Sequence, residues 1–482
     1  MKILLVAPHY PPRFIGGVER IARRLAHRLR AAGHAPTVVA VERLGVERTY
    51  QRLADVSDDD GVTVWRLSLP REAEDAAFAS TYRPRGAEAW LRDWIARERP
   101  DVIHLHSGYL LGGAVLEAAA AHRIPVAVTL HDYWFICPRI TLLQPDGACC
   151  TGPESARKCA WCLATEQRRY RLPQQLLGAP IARAVGRALA AVPSALAAIN
   201  PLGSRVREVE TRQQFLLTAL SGAAAIMSPS RFLRDQVVQA GVPRERIALL
   251  PYGIEPGARV PPRVADDVAL RVGFLGQVAP HKGLHVLIPA VRALRERRVE
   301  LIIRGDLTRE PAYVASLRAL TAGDPRIVFA GPIVDGRVDA FFGAIDVLAV
   351  PSVWYENAPL VMLEAKRAGV PVLASRLGGM AELVRHDVDG LLAEPGSPAA
   401  FAGQLERLIA EPALLDRLRQ GITPPGSIDD ELRALLDLYA NLAARKPGHV
   451  NGSGAREPLN PHGLAAVVAT VVAGAATRNG RA

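Results

Sequence analysis

Two carboxylates, Glu356 and Glu364, stand in the run Trp354-Tyr355-Glu356-Asn357-Ala358-Pro359-Leu360-Val361-Met362-Leu363-Glu364. A short apolar stretch, residues 346–351, precedes them, and a helical pattern follows. Pro359 suits the first helical position, where a missing N–H costs nothing. The helix is expected to end near Ala368, with Gly369 as a left-handed C-cap and Pro371 forbidding continuation. The start of such a helix offers unpaired amides and a partial positive charge to an anion. The segment Asn357-Ala358-Pro359-Leu360-Val361 is therefore the expected anion cradle. Glu356 stands at its mouth and Glu364 an early turn beyond. That arrangement suits a ligand carrying hydroxyls on both sides of a diphosphate.

Other residues fit the same chemistry. Gly16 and Gly17 open a helix after a strand and a loop, where glycine lets amides approach a phosphate; a plain tight turn is the alternative. Lys282, in VGFLGQVAPHKG, would set a point charge against a diphosphate, or be an ordinary solvated lysine. His131-Asp132 follow the apolar run VAVTL, where a histidine meets a ligand or ties down its own loop; Asp132 suits a cap. Gly305, after ELIIR, and Gly331, after IVFA, are strand-end turns that fit a base and ribose. The five cysteines all fall between Cys137 and Cys162. Cys159 and Cys162 form C-x-x-C, a zinc half-site, and Cys137 with Cys149 or its neighbour Cys150 would complete a tetrahedral set. Free thiols in a loop are the alternative. A loop of this length without a core of its own calls for some such staple.

These residues need a scaffold. Apolar runs at 2–7, 37–41, 62–67, 102–106, 126–130 and 225–228 alternate with helical patterns, such as 17–32 capped by Gly33. A second set lies at 271–276, 300–304, 327–330, 346–350, 371–374 and 390–393. The alternation predicts an α/β fold of two doubly wound, parallel-sheet, Rossmann-like domains facing across a cleft, with ligands beyond the carboxyl ends of the strands. The expected division is 1–252, a Pro/Gly-rich linker at 253–267, a second domain at 268–427, a helix at 428–445 returning towards the first domain, and a disordered tail at 446–482. The net charge of +11 favours anionic partners. The charge is scattered as single arginines, which argues against a nucleic-acid arm. No run reaches the length of a membrane span. Residues 172–199 carry an apolar face and arginines, suited to an acidic membrane surface or, more simply, to the core.

The stretch PSVWYENAPLVMLEAKRAGVPVLAS, continued by LGGMAELVRHDVDGLLAEPG, resembles the Glu-x7-Glu signature of glycosyltransferase family 4, retaining enzymes of the GT-B fold. The resemblance extends over residues 1–440. It implies a bacterial, cytoplasmic enzyme, with peripheral contact at the inner face of the membrane as an option. The implied reaction moves a hexose from a UDP- or GDP-sugar to a hydroxyl on a polysaccharide, lipid-linked glycan or small glycoside. It implies catalytic roles for His131 and Glu356, a grip on ribose by Glu364, and a first-domain glycine loop, Gly16-Gly17, facing the donor diphosphate. No cofactor is implied for the reaction, which leaves any zinc structural. The family usually carries an arginine where this chain has Gln277. A phosphorylase, a nucleotide-sugar epimerase and a non-catalytic nucleotide-sugar binder are the alternatives on the same architecture.

Overall fold

The fold comes from a computed structural model. It describes residues 1–46, 54–70, 77–166, 181, 184, 201–262, 267–296, 298–333 and 338–444. The proposed tail at 446–482, nearly all of the 172–199 segment and part of the 253–267 linker lie outside the described residues. The described residues form two compact units: Met1–Leu250 with the segment 430–444, and Pro251–Asp429.

The first unit is built on eight strands: β1 Lys2–Ala7, β2 Ala35–Val46, β3 Ala54–Asp59, β4 Val62–Pro70, β5 Val102–His106, β6 Val126–Thr129, β7 Ala225–Ser228 and β8 Ile247–Leu249. Their order is β3-β4-β2-β1-β5-β6-β7-β8. All pairings are parallel except β3 with β4. The interior strands are apolar throughout because helices cover both faces; in β1, Ile3 to Ala7 are all buried. The β3–β4 hairpin was not expected, because ADVSDD is polar and half exposed. Its turn signal is Asp60-Gly61, both at positive φ (50° and 83°), which suits a tight hairpin. The helix Ile428–Ala444 supplies Leu435, Leu438, Tyr439 and Leu442 to the same core as Ile3, Leu5 and Leu29. Each such side chain contributes about 1.5–3 kcal/mol.

The second unit holds β9 Leu270–Leu275, β10 Val299–Arg304, β11 Ile327–Gly331, β12 Val347–Val350, β13 Val372–Ser375 and β14 Gly390–Ala393. The order is β11-β10-β9-β12-β13-β14, all parallel. The strand order reverses between β9 and β12. Loops leaving the carboxyl ends of two such strands part to opposite sides and leave a crevice for a ligand. In the first unit the corresponding reversal lies between β1 and β5.

Candidate active site

The crevice of the second unit is bounded by the loop after β9, which carries Lys282, and the loop after β12, which carries Glu356. Backbone contacts join the two loops. Val353 N donates to His281 O at 2.9 Å. Gly283 has φ +77°, and a Cβ there would drive into Pro351 O. On the other side, Gly379 N donates to Glu356 O at 2.7 Å, and a Cβ on Gly379 would collide with Asn357 O. Glycine is needed at both places so that main chain can touch main chain.

Within this frame Glu356 is nearly buried, at 8% exposure. Its Oε1 accepts from Lys282 Nζ at 2.5 Å, Trp354 Nε1 at 2.8 Å and Ser352 Oγ at 2.9 Å. No hydrogen bond among the described residues reaches Oε2. Burial alone would raise the carboxyl's pKa; the Lys282 charge and the three donors outweigh it and hold the group below its usual value. Glu356 is thus ionised at neutral pH, with one oxygen saturated and one available. The Trp354 ring lies 5.5 Å from Lys282 Nζ and edge-on to His281 at 4.8 Å. Burial and the adjacent Lys282 push the His281 pKa down to about 4, so its ring adds no charge.

The helix begins at Leu360, not Pro359. Pro359 is the N-cap, with extended ψ of 118°. The correction has a physical basis, because an N-cap residue takes non-helical dihedrals. The amides of Leu360 and Val361 find no acceptor among the described residues, as expected of a first helical turn. Ala358 is partly exposed beside them, and Glu364 is half-buried one turn further on. Gly369 ends the helix at φ +79°.

The strand-end glycines are linked in series. Gly276 N donates to Arg304 O at 3.1 Å, and Gly305 N to Gly331 O at 3.0 Å. Gly331 has φ +69° and open space where a side chain would stand. Gln277 is exposed. Arg304 donates through Nη1 to Ala330 O at 2.6 Å, while its buried Nε has no partner among the described residues.

In the first unit His131 follows β6 and is buried at 8% exposure. Its Nε2 lies 3.0 Å from His106 Nδ1, so one ring donates and the other accepts. His104 sits two residues before His106 on β5, its ring tilted against that of His106 with centroids 4.0 Å apart. It is held by Tyr439 Oη at 2.5 Å and Thr129 Oγ1 at 2.7 Å. Asp132 caps its own loop, accepting from Trp134 N at 2.9 Å and Ser107 Oγ at 2.5 Å. Gly16 is the extended N-cap of the helix Gly17–Ala31. The Glu19 carboxylate folds onto Gly16, where the expectation put a phosphate, while Gly17 has open space.

Two family models match the chain. The one described as glycosyl transferases group 1 covers residues 269–411, and the glycosyl transferase 4-like domain covers residues 16–158. Together they take in more than half of the sequence. The chain belongs to the family 4 type of GT-B glycosyltransferases. Among curated relatives, the D-inositol 3-phosphate glycosyltransferase of Xylanimonas cellulosilytica is 31% identical over 46% of this chain and 58% of its own length. That of Salinispora tropica is 32% identical over 44% and 47%. This family member thus spans about half the length of the curated relatives it matches. Solved structures share its fold. Sucrose-phosphate synthase from Thermosynechococcus elongatus gives a TM-score of 0.61 at 19% identity, covering 92% of this chain and 99% of that one. Anabaena HepE in complex with UDP and glucose gives 0.60 at 17%, covering 92% and 100%.

The sequence did not single out several residues that this family 4 member brings to its two units. Ser352 and Trp354 converge on Glu356; the signal was their spacing of four and two residues before it. His104 and His106 alternate on a buried strand and so share one face with each other. The cysteines also need correction. Cys150, not Cys149, lines a cavity with Cys137, Cys159 and Cys162, because successive residues of a hairpin strand face opposite ways.

Two outcomes follow from the packing. Gly283→Ala and Gly379→Ala should each destabilise the second unit by about 1–3 kcal/mol, the usual cost of overpacking. Gly403→Ala lies in the interior of a helix, Pro398–Ala410, with open space around it, and should stabilise by about 0.4–1 kcal/mol. Thermal melts of the three variants check the contrast, and equal midpoints would contradict it. The second outcome concerns pH. Burial lowers the pKa of His104 and His131 well below 6.5, and that of His106 to about 3. The unfolded chain takes up these protons below about pH 6.5 and the folded one does not. The stability carried by the neutral rings is therefore full above that pH and lost as pH falls towards the folded values. Each ring contributes a slope of up to about 1.4 kcal/mol per pH unit. Asp132, raised by burial, opposes with one proton against three. The melting transition of the first unit should be flat from pH 7 to 8 and fall from pH 6.5 to 5; a midpoint unchanged at pH 5 would reject this reading.

Proposed function

We propose that this chain is a retaining glycosyltransferase that moves a sugar from a nucleoside diphosphate sugar to a hydroxyl acceptor. The observation that carries the reading is the Glu356 carboxylate. It is held ionised beside Lys282 and a helix start, at the point where the strand order of the second unit reverses. The complexes of Anabaena HepE with UDP-glucose and with UDP and glucose support a uridine nucleotide as the donor to try first.

In this reading the bond from the anomeric carbon to the diphosphate oxygen breaks, and the diphosphate keeps the electron pair. Lys282 and the amides of Leu360 and Val361 stabilise the charge that grows there. Glu356 Oε2 holds sugar hydroxyls and offsets the positive charge on the ring. Glu364 holds the ribose, and Gly331 leaves room for the base, while Gly305 lets its main chain lie against Gly276 O. The acceptor oxygen bonds to the same face of the anomeric carbon, and its proton passes to the departing phosphate oxygen. His131, kept neutral by burial, serves as a hydrogen-bond partner for a sugar or acceptor hydroxyl. Gly17 has room for an anion, whereas Gly16 can meet one only if the Glu19 carboxylate gives way.

The test is nucleotide release by the full chain from UDP-glucose, GDP-mannose and ADP-glucose, alone and with hydroxyl acceptors. Slow hydrolysis of at least one donor, accelerated by an acceptor, is expected. Release from none of them, together with no thermal shift on adding UDP, GDP or ADP, would reject the proposal.

A further inference from the structure

Four of the five cysteines line one cavity of about 340 Å³, whose wall also carries Arg139 and Lys158. The chain reaches it from two directions. Cys137 closes a turn, its amide donating to Tyr133 O at 2.7 Å. Cys150 lies on a hairpin that turns at Asp146-Gly147, with Gly147 at φ +85°. That hairpin is zipped by Gln144 N to Ala148 O at 2.8 Å and Cys150 N to Leu142 O at 2.7 Å. Cys159 and Cys162 come from the helix Ala156–Ala164, which is capped by Ser155. Three residues apart, they share a helix face. The segment has a small core of its own, with Ala156, Cys159 and Ala160 against Val206 and Val209.

An independent observation points at the same place. Arg212, on the helix Pro201–Ser221, is 1% exposed. It lies over the Trp134 ring at 5.2 Å, and its Nη2 donates to Trp134 O. Its Nη1 is buried with no acceptor, and no carboxylate forms an ion pair with it among the described residues. A guanidinium taken out of water without a counter-charge costs several kcal/mol. Burial pushes the Arg212 pKa down to about 10, and of the groups that oppose this Cys137 and Cys159 come before Tyr82 and Asp132; the neighbouring Gln213 donates to Cys159 Sγ at 3.9 Å. A charged sulfur group in this cavity would supply the acceptor that the buried Arg212 Nη1 lacks. Arg139 and Lys158 already have glutamate partners, Glu166 and Glu154.

We propose that Cys137, Cys150, Cys159 and Cys162 bind one zinc ion as thiolates, and that Arg212 is the buried counter-charge of the resulting dianionic group. Zinc takes four thiolates in a closed, structural site. Each thiol releases its proton to solvent on binding, and no electron is transferred. The sulfurs are not drawn together. Among the described residues only His27, Asp59 and Asp60 bring their ligand atoms within 4.8 Å of one another, and Asp59 is already held by Arg23 and Tyr10. Closure on the ion therefore brings the four cysteines in from their places around the cavity wall. Its consequence is a staple on the chain that follows His131 and Asp132.

The test uses the full chain, purified without a histidine tag from zinc-supplemented medium. Metal analysis should find about one zinc per chain, as a closed four-thiolate site requires. Cys149→Ser should keep it, and Cys150→Ser and Cys162→Ser should lose it. Where a variant does not fold, cobalt-loaded wild-type protein decides: tetrahedral thiolate bands support the site, and bands of oxygen or nitrogen ligation overturn it. A folded wild-type chain that holds no zinc and takes up no cobalt would also overturn it. So would a Cys149→Ser variant that loses zinc while Cys150→Ser retains it.

Discussion

Glu356→Gln should leave nucleotide binding almost intact and slow donor turnover by a factor of about 100 or more, the usual loss when one preorganised electrostatic group is removed. The shape is kept, so the hydrogen bonds from Ser352 and Trp354 have an acceptor. The charge is not kept, and the positive charge that develops on the sugar ring loses its partner. The pH dependence follows from the same environment. Lys282 and the two other donors, outweighing burial, hold Glu356 below its usual pKa of 4.5. Its ionised form is complete above that value and is lost only as pH falls through a lower one. An acid limb of the rate profile lying above about pH 4.5 must then belong to another group. Nucleotide release, compared with the UDP-induced thermal shift, separates turnover from binding. Turnover equal to that of the wild type would remove Glu356 from the chemistry.

Lys282→Ala should have two effects that one residue rarely combines. It should abolish the thermal shift caused by UDP while sparing the response to uridine, since only the diphosphate loses its cation. It should also destabilise the second unit by about 3–5 kcal/mol, because it strands the Glu356 carboxylate in a nearly buried position. Lys282 is 21% exposed and Glu356 10% by side chain, so solvent screens the pair only in part. The double variant Lys282→Ala, Glu356→Gln should regain most of the stability and none of the UDP response. A double-mutant cycle on melting measures the coupling. Unchanged UDP affinity in Lys282→Ala would contradict its assignment.

Much of this architecture was legible because parallel strands buried on both faces write continuous apolar runs, and helices announce their ends with glycine and proline. The helix after Glu356 could be placed to within one residue at its start. The error at Pro359 came from reading a proline as the first helical residue when its dihedral made it the cap. The β3–β4 hairpin escaped because an edge strand needs no apolar face, although Asp60-Gly61 marked its turn. The environment of Glu356 could not be read at all. A carboxylate in a loop shows nothing of its donors until the loop closes, and closure here depends on main-chain contacts at Gly283 and Gly379 that leave no hydrophobic trace. The same limit hid the histidine pair. His106 ends β5 and His131 follows the neighbouring β6, so only the order of strands in the sheet brings them together. Arg212 was hidden differently, in a helix of mixed polar sequence where burial of one arginine breaks no pattern.

A crystal structure of the full chain with UDP tests the central claim most directly. The account predicts the β-phosphate within hydrogen-bond distance of Lys282 Nζ and of the Leu360 or Val361 amide, with ribose hydroxyls on Glu364. A uridine nucleotide bound with its phosphates away from Lys282 and from the start of the 360–368 helix would contradict it.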